Sequence, residues 1–134
     1  MVKKIFFFIF FMSIASAEEV NDVIITSDIV DIKGQNDQVI FTNNLSVDSG
    51  VVLINATKAI YDNKTKVIEI TGEPSFLRSL KEENEFNGSA LKIIFYDNNK
   101  VHLIGNAKMK YENMTISSNK IIFSPNSGFI ESKE

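Results

Sequence analysis

The feature that most restricts the fold of this chain is a hairpin written twice. Thr57 to Phe76 reads "TKAIYDNKTKVIEITGEPSF", and Leu91 to Met109 reads "LKIIFYDNNKVHLIGNAKM". Lys58 answers to Lys92, Ile60 to Ile94, and Tyr61-Asp62-Asn63 to Tyr96-Asp97-Asn98 after a slip of one residue. Lys66-Val67 answers to Lys100-Val101, and Gly72 falls where Gly105 falls. An offset of 62 extends the correspondence, aligning Val39 with Val101, Asn44 with Asn106, Ile54 with Ile116 and Lys58 with Lys120. The segment "KIIF" occurs at Lys92 to Phe95 and again at Lys120 to Phe123. Each copy is a strand, an Asn/Asp turn and a second strand. Such a unit has an apolar face and nothing of its own to bury it, so neighbouring copies must stack.

The rest of the chain has the same texture. "VIITSDIVDI" (Val23 to Ile32), "VIFTNNLSV" (Val39 to Val47), "VVLINA" (Val51 to Ala56) and "KVIEIT" (Lys66 to Thr71) are short, β-branched and alternating. Gly34, Ser49-Gly50, Asp62-Asn63-Lys64 and Gly72 punctuate them, and Pro125-Asn126-Ser127-Gly128 is a turn. Helix formers gather only in "SLKEENEF", Ser79 to Phe86, which is short and reads as a loop or one helical turn. The chain is therefore expected to be all-β, built from repeated two-strand units.

Alternate residues of a strand share a face. If Glu69 and His102 face water, then Ile68, Ile70, Pro74 and Phe76 share the opposite face in one copy, and Val101, Leu103, Ala107 and Met109 share it in another. The same parity gives Val39, Phe41, Leu45 and Val47. With Lys58, Lys92 and Lys120 outward, Ala59 and Tyr61, Leu91, Ile93 and Phe95, and Ile121 and Phe123 turn inward. Val23, Ile25, Ile54 and Ile116 complete the expected apolar interior. Stacked two-strand units leave unpaired strands at both ends, which must be covered or joined to another chain.

The 134 residues suffice for one domain. Lys3-Lys4, the apolar run from Ile5 to Met12 and the small-residue site Ala15-Ser16-Ala17 have the pattern of a secretory signal peptide, residues 1–17. The apolar run is shorter than the ~20 residues of a spanning helix. The expected mature domain is 18–134. Removing Lys3 and Lys4 from 14 basic residues leaves 12 against 17 acidic ones, a formal charge of −5. That balance argues against a nucleic-acid partner. There is no cysteine, so core burial and strand pairing must hold the exported domain together. Five Asn-x-Ser/Thr triplets, at Asn44, Asn55, Asn63, Asn87 and Asn113, could mark glycosylation, but an Asn- and Thr-rich β protein makes such triplets by chance, and the lack of cysteine favours that reading and a bacterial periplasm.

The chemistry of an enzyme is missing. His102 is the sole histidine and falls on an expected exposed strand face; any Ser/His/Asp set would have to use it, and no second His or Cys is available for a zinc site. Acidic pairs such as Asp28 and Asp31, or Glu82 and Glu83, read as ordinary charged turns. "DNNK" at Asp97 lacks the alternating ligands of a calcium loop. No cofactor, metal site or catalytic residue is expected, and the reading is non-enzymatic.

The order and spacing of several motifs resemble the OstA-like family of lipopolysaccharide transport proteins. These are "ITSD" near the start, Gly50 to Lys58 ("GVVLINATK"), Gly72 to Phe76 ("GEPSF"), "GSALKIIFYD" and "VHLIGNAKM". The resemblance spans nearly all of 18–134. It implies an open, twisted antiparallel β-jelly roll with an apolar interior. It further implies binding of lipopolysaccharide through its acyl chains, periplasmic location, and self-association through edge strands. The partners it implies are the inner-membrane anchored and outer-membrane components of the same transport system. The bound chains would lie against the inward residues Val23, Ile25, Val39, Phe41, Val47, Ile54, Ile68, Ile70, Phe76, Leu91, Ile93, Phe95, Val101, Leu103, Met109, Ile116, Ile121 and Phe123. Two other readings fit the residues alone: a structural or interaction β-sandwich whose inward face is only core, and a carbohydrate-binding β domain, which the lack of Trp disfavours. Within the family, an inner-membrane-anchored relative is the alternative to an exported carrier.

Overall fold

The computed structural model describes residues 8–15, 20–83 and 85–133. They form one antiparallel sheet of ten strands: β1 (Phe8–Ala15), β2 (Val20–Ser27), β3 (Ile29–Lys33), β4 (Gln38–Asp48), β5 (Val52–Asp62), β6 (Val67–Ser79), β7 (Phe86–Phe95), β8 (Val101–Tyr111), β9 (Met114–Ser124) and β10 (Phe129–Lys133). The spatial order is β1-β2-β4-β5-β6-β7-β8-β9-β10, with β3 also on β4. From β4 onward, each strand pairs with its sequence neighbour, as a succession of hairpins requires. The only helical element among the described residues is a 3₁₀ turn at Gly34–Asn36. Ser79 to Phe86 is a strand end, a loop and a strand start.

A line of bulges crosses the sheet. The register slips between Thr42 and Leu45, Asn55 and Lys58, Thr71 and Ser75, Ser89 and Lys92, and Ile104 and Ala107. A bulge bends its strand and sharpens the twist. Five in a row form a crease, and the sheet folds along it into two leaves. The first leaf holds residues 20–27, 45–48, 52–56, 75–79, 86–90, 107–111 and 114–118. The second holds 29–33, 38–42, 58–62, 67–71, 92–95, 101–104, 120–124 and 129–133. Two crossings use paired left-handed residues, Asn43-Asn44 (φ 71 and 50) and Gly105-Asn106 (φ 88 and 48). Asn and Gly adopt this region at the least steric cost. The 62-residue repeat of the sequence is here a repeat of crease geometry. This is the open jelly roll expected from the sequence.

The core lies between the leaves. Ile25, Phe41, Ile54, Ile68, Ile70, Ile93, Leu103, Ile121 and Phe123 have no exposed surface, and Phe95 and Met109 have almost none. Each such side chain contributes roughly 1.5–3 kcal/mol by leaving water. Gly88 of the first leaf admits Leu103 of the second. A Cβ at Gly88 would stand 2.7 Å from the Lys108 carbonyl oxygen and 3.0 Å from Leu103 Cδ2.

The crease also corrects the parity reading at two expected interior residues. In β6 the strand takes five steps, Thr71 to Phe76, where β5 takes three, Lys58 to Asn55. Ile70 and Leu77 both face inward, so Phe76 faces out, 54 % exposed, and Pro74 is exposed as well. In β7 the inward residues are Ala90 and Ile93, which leaves Leu91 outward and 47 % exposed. There Leu91 packs over Gly105. On β4 and β8 the crossing takes four steps, from Phe41 to Leu45 and from Leu103 to Ala107. Parity survives an even count and fails on an odd one.

Candidate functional site

The space between the leaves is where apolar residues of β2 to β10 converge. Of the residues expected there, Val23, Ile25, Val39, Phe41, Val47, Ile54, Ile68, Ile70, Ile93, Phe95, Val101, Leu103, Met109, Ile121 and Phe123 are buried between the leaves. Ile116 is half-buried against them. Phe76 and Leu91 are on the outside. Leu45, Val52, Leu77, Phe86, Ala90 and Ala107 also line the interior. Val52, Leu77, Phe86 and Ala90 went unassigned from sequence. Leu77 and Ala90 lie beyond a parity-reversing bulge, and Phe86 follows the irregular loop after Ser79.

Almost nothing polar enters this space. Ser27, Ser49, Ser75 and Asn99 are the buried polar residues. The Ser27 hydroxyl donates to the Ile29 carbonyl at 2.9 Å, bracing the first bend of the crease. Beside it the Asn44 amide donates to the Asp28 carboxylate at 2.7 Å, and the Asp28 amide donates to the Asn43 carbonyl. The Ser75 hydroxyl, at the crease, is the buried side-chain oxygen without a partner among the described residues.

The mouth opposite the crease is bounded by two rims. The first-leaf rim consists of the turns at 49–51, the loop after Ser79 and the turn at 112–113. The second-leaf rim consists of the turns at 34–37, 63–66, 96–100 and 125–128. Bonds run along each rim: Asn63 N–H to the Asp37 carbonyl at 2.8 Å, Leu80 N–H to Val51 at 3.0 Å, Glu112 N–H to Glu85 at 3.3 Å. The Lys64–Asp37 ion pair also stays within one rim. Among the described residues, no hydrogen bond or ion pair joins one rim to the other. At the mouth the described residues of the two leaves meet by apolar contact, so the rims can part there without breaking a polar bond among them; near the crease the Ser118 hydroxyl donates to the Lys133 carbonyl at 2.6 Å and ties the leaves together.

The outer surface has a different character. Lys92 pairs with Glu69 at 2.8 Å on the second leaf. The His102 ring lies 4.8 Å from that of Tyr96, centroid to centroid. Partial burial, then the charges of Lys120 and Lys100, hold the His102 pKa below its usual value. Two solvent-open concavities, of about 680 and 840 Å³, flank Glu73 and Pro74. Among the described residues no group of His, Asp and Glu is placed to hold a metal ion. No helix among them is long and apolar enough to cross a membrane.

A solved structure with the same fold is LptH from Pseudomonas aeruginosa, described as the LptA-homologous periplasmic component of the lipopolysaccharide transport device. It superposes with a TM-score of 0.74 at 16% sequence identity, covering 84% of this chain and 82% of that one. No curated protein matches the sequence. A family described as LptA/(LptD N-terminal domain) LPS transport protein matches residues 24–129. That match takes in nine of the ten strands wholly or in part, and the chain belongs to this family of lipopolysaccharide transport proteins.

Proposed function

We propose that this chain is a periplasmic carrier that holds the acyl chains of lipopolysaccharide between its two leaves and forms part of a bridge between the inner and outer membranes. The observation that carries the reading is the mouth: two apolar inner faces, closed on each other with no polar bond across the rims among the described residues. Each acyl methylene left in water costs ~0.8 kcal/mol, so a chain of about a dozen carbons costs on the order of 10 kcal/mol. An interior that opens onto such a chain exchanges one set of apolar contacts for another and avoids that cost. LptH, with the same fold, is described as the periplasmic component of a lipopolysaccharide transport device.

The edges support the bridging part. Large apolar side chains remain exposed there: Ile32 on β3 at one edge, and Met114 on β9 and Phe129 on β10 at the other. β10 covers only Lys120–Ser124 of β9, and among the described residues nothing pairs with the outer edge of 114–119. Ile121 and Ile122 lie between two paired strands, β8 and β10, so they are not part of that edge. At the opposite end β1 pairs with β2 along its whole length. Cleavage after Ala17, a junction outside the described residues, would remove β1 and free β2 for strand addition. The mature mass would then begin at Glu18.

The test is photo-crosslinking in intact cells from Phe95 and Leu103, with the outward Phe76 as control. Capture of lipopolysaccharide at the two inward positions and not at Phe76 is expected. Capture at Phe76 alone, or at none of the three, would leave the interior as protein core and favour the structural-module reading.

A further inference from the structure

One stretch of the mouth is closed by aromatic rings. Phe86 opens β7 and Tyr111 ends β8, and the two are cross-strand partners at the tip of the first leaf. Phe123 belongs to the second leaf, where it pairs with Val101 at the far end of β8 from Tyr111. Folding along the crease brings these tips together. The Phe86 ring meets Phe123 edge-on at 4.6 Å between centroids, and Tyr111 meets Phe123 at 5.8 Å. The Tyr111 hydroxyl reaches the opposite rim, where a Cβ added to Gly128 would lie 3.0 Å from it. Gly128 has φ +76, so the 125–128 turn and the space for Tyr111 both depend on glycine there.

The burial of the three rings is graded. Phe123 is fully buried and Phe86 is 6 % exposed, while Tyr111 is half-buried at the surface. The Tyr111 hydroxyl makes no hydrogen bond among the described residues, so packing alone holds that end of the side chain. A rotamer change that moved it outward would give up its contacts with the Phe123 ring and the Gly128 turn and no polar bond of its hydroxyl. Behind it lies the continuous apolar interior.

The position in the sheet adds a second constraint. Tyr111 pairs with Met114, the first residue of the open stretch of β9. The ring that shuts the mouth is thus one strand from an unpaired edge that carries an exposed methionine.

We propose that Tyr111, seated on Phe86 and Phe123 against the Gly128 turn, is the latch of a lateral entry site through which alkyl chains pass into the interior. This rests on the carrier reading above. An alkyl chain presents the same flexible apolar surface as the contact it displaces, and no polar group is stranded when Tyr111 leaves. Phe86 and Phe123 then offer ring faces to the first methylenes.

The chain has no cysteine, which permits a reversible staple. Glu112→Cys and Ser127→Cys, exposed neighbours of Tyr111 and Gly128, would be joined by a short bis-methanethiosulfonate that reductant removes. Purified lipopolysaccharide is the probe, read by a photo-crosslinker at Leu103. Capture should be lost in the stapled protein and return on reduction, while each single-cysteine protein capped with the monofunctional reagent captures normally. Equal capture in stapled and reduced protein would overturn the entry site and leave carriage intact. Absence of capture in every form, the unsubstituted chain included, would remove both. A second arm varies the latch itself. Tyr111→Ala should load faster than the parent and faster than Tyr111→Phe, which keeps the ring. Folded Tyr111→Ala protein that loads no faster would also overturn the proposal.

Discussion

Asn44 and Asp28 meet at 2.7 Å where the sheet begins to fold over. Asn44 stands in left-handed backbone (φ 50), and its amide reaches the carboxylate that separates β2 from β3. One residue thus meets two requirements of the bend: a tolerated backbone conformation and a polar brace. The pair is exposed, so water competes for the bond. Asn44→Gly should lose the brace and keep the backbone, a cost of about 1 kcal/mol or less. Asn44→Val loses the brace and adds strain, with an expected total of about 2–3 kcal/mol. Urea unfolding of the two variants, and of each with Asp28→Ala, separates the terms. Equal losses in Gly and Val would show that the conformation carries no strain there.

Phe76 and Leu103 test the parity reversal. Both are large and apolar, and sequence alternation puts both inside. Phe76→Ser removes an exposed ring and should change stability by about 0.5 kcal/mol or less. Leu103→Ala removes a side chain with no exposed surface that fills the space over Gly88, and should cost about 2–5 kcal/mol. Denaturant midpoints decide it. A severe loss at Phe76 would mean that the β6 bulge does not shift the register as described.

The contrast between those two residues shows what the sequence made legible. The all-β class, the hairpin succession and the interior of β4 and β8 follow from alternation and from the 62-residue repeat. The outward turn of Phe76 and Leu91 does not, because it depends on whether a bulge spans an odd or an even number of residues. The markers were visible: Gly72-Glu73-Pro74 interrupts β6, and Asn43-Asn44 and Gly105-Asn106 interrupt β4 and β8. Their residue types suit a bend, yet they do not state its step count. The closure of Phe86 and Tyr111 on Phe123 was out of reach for another reason. It joins strand ends that are distant along the sheet until the crease folds them together.

His102 gives a pH dependence of known sign. It sits between Ile94 and Ile122 on the outer face, stacked near Tyr96, with Lys120 and Lys100 close by. Its partial burial and those two charges disfavour the imidazolium in the folded state. The unfolded chain takes up that proton near the ordinary value of 6.5, before the folded one does. The resulting stability is complete above that value and declines as pH falls below it, levelling off once the folded His102 has also protonated. His102→Gln should remove this part of the acid-side decline. Urea melts across the acid range, with an imidazole titration by NMR, check both statements. A folded-state value above that of the unfolded chain would reverse the sign.

The open stretch of β9 predicts how growth into chains can be stopped. Residues 114–118 pair with β8, and among the described residues with nothing on their other side. In an antiparallel ladder, successive N–H groups point to opposite sides of the strand. One of Ile116 and Ser117 therefore donates to β8, and the other points out at the open edge. Proline removes a donor and tolerates an edge strand. At the outward position it should leave the fold intact and block addition of a neighbouring strand. At the inward position it should break a ladder bond and lower stability. A head-to-tail contact of this kind does not close, so the unsubstituted mature chain should grow with concentration, with no fixed dimer. Light scattering over a concentration series on Ile116→Pro and Ser117→Pro reads both effects. Growth that survives in both variants would place the contact elsewhere, and a mature chain that stays monomeric at high concentration would assign the edge to a different partner.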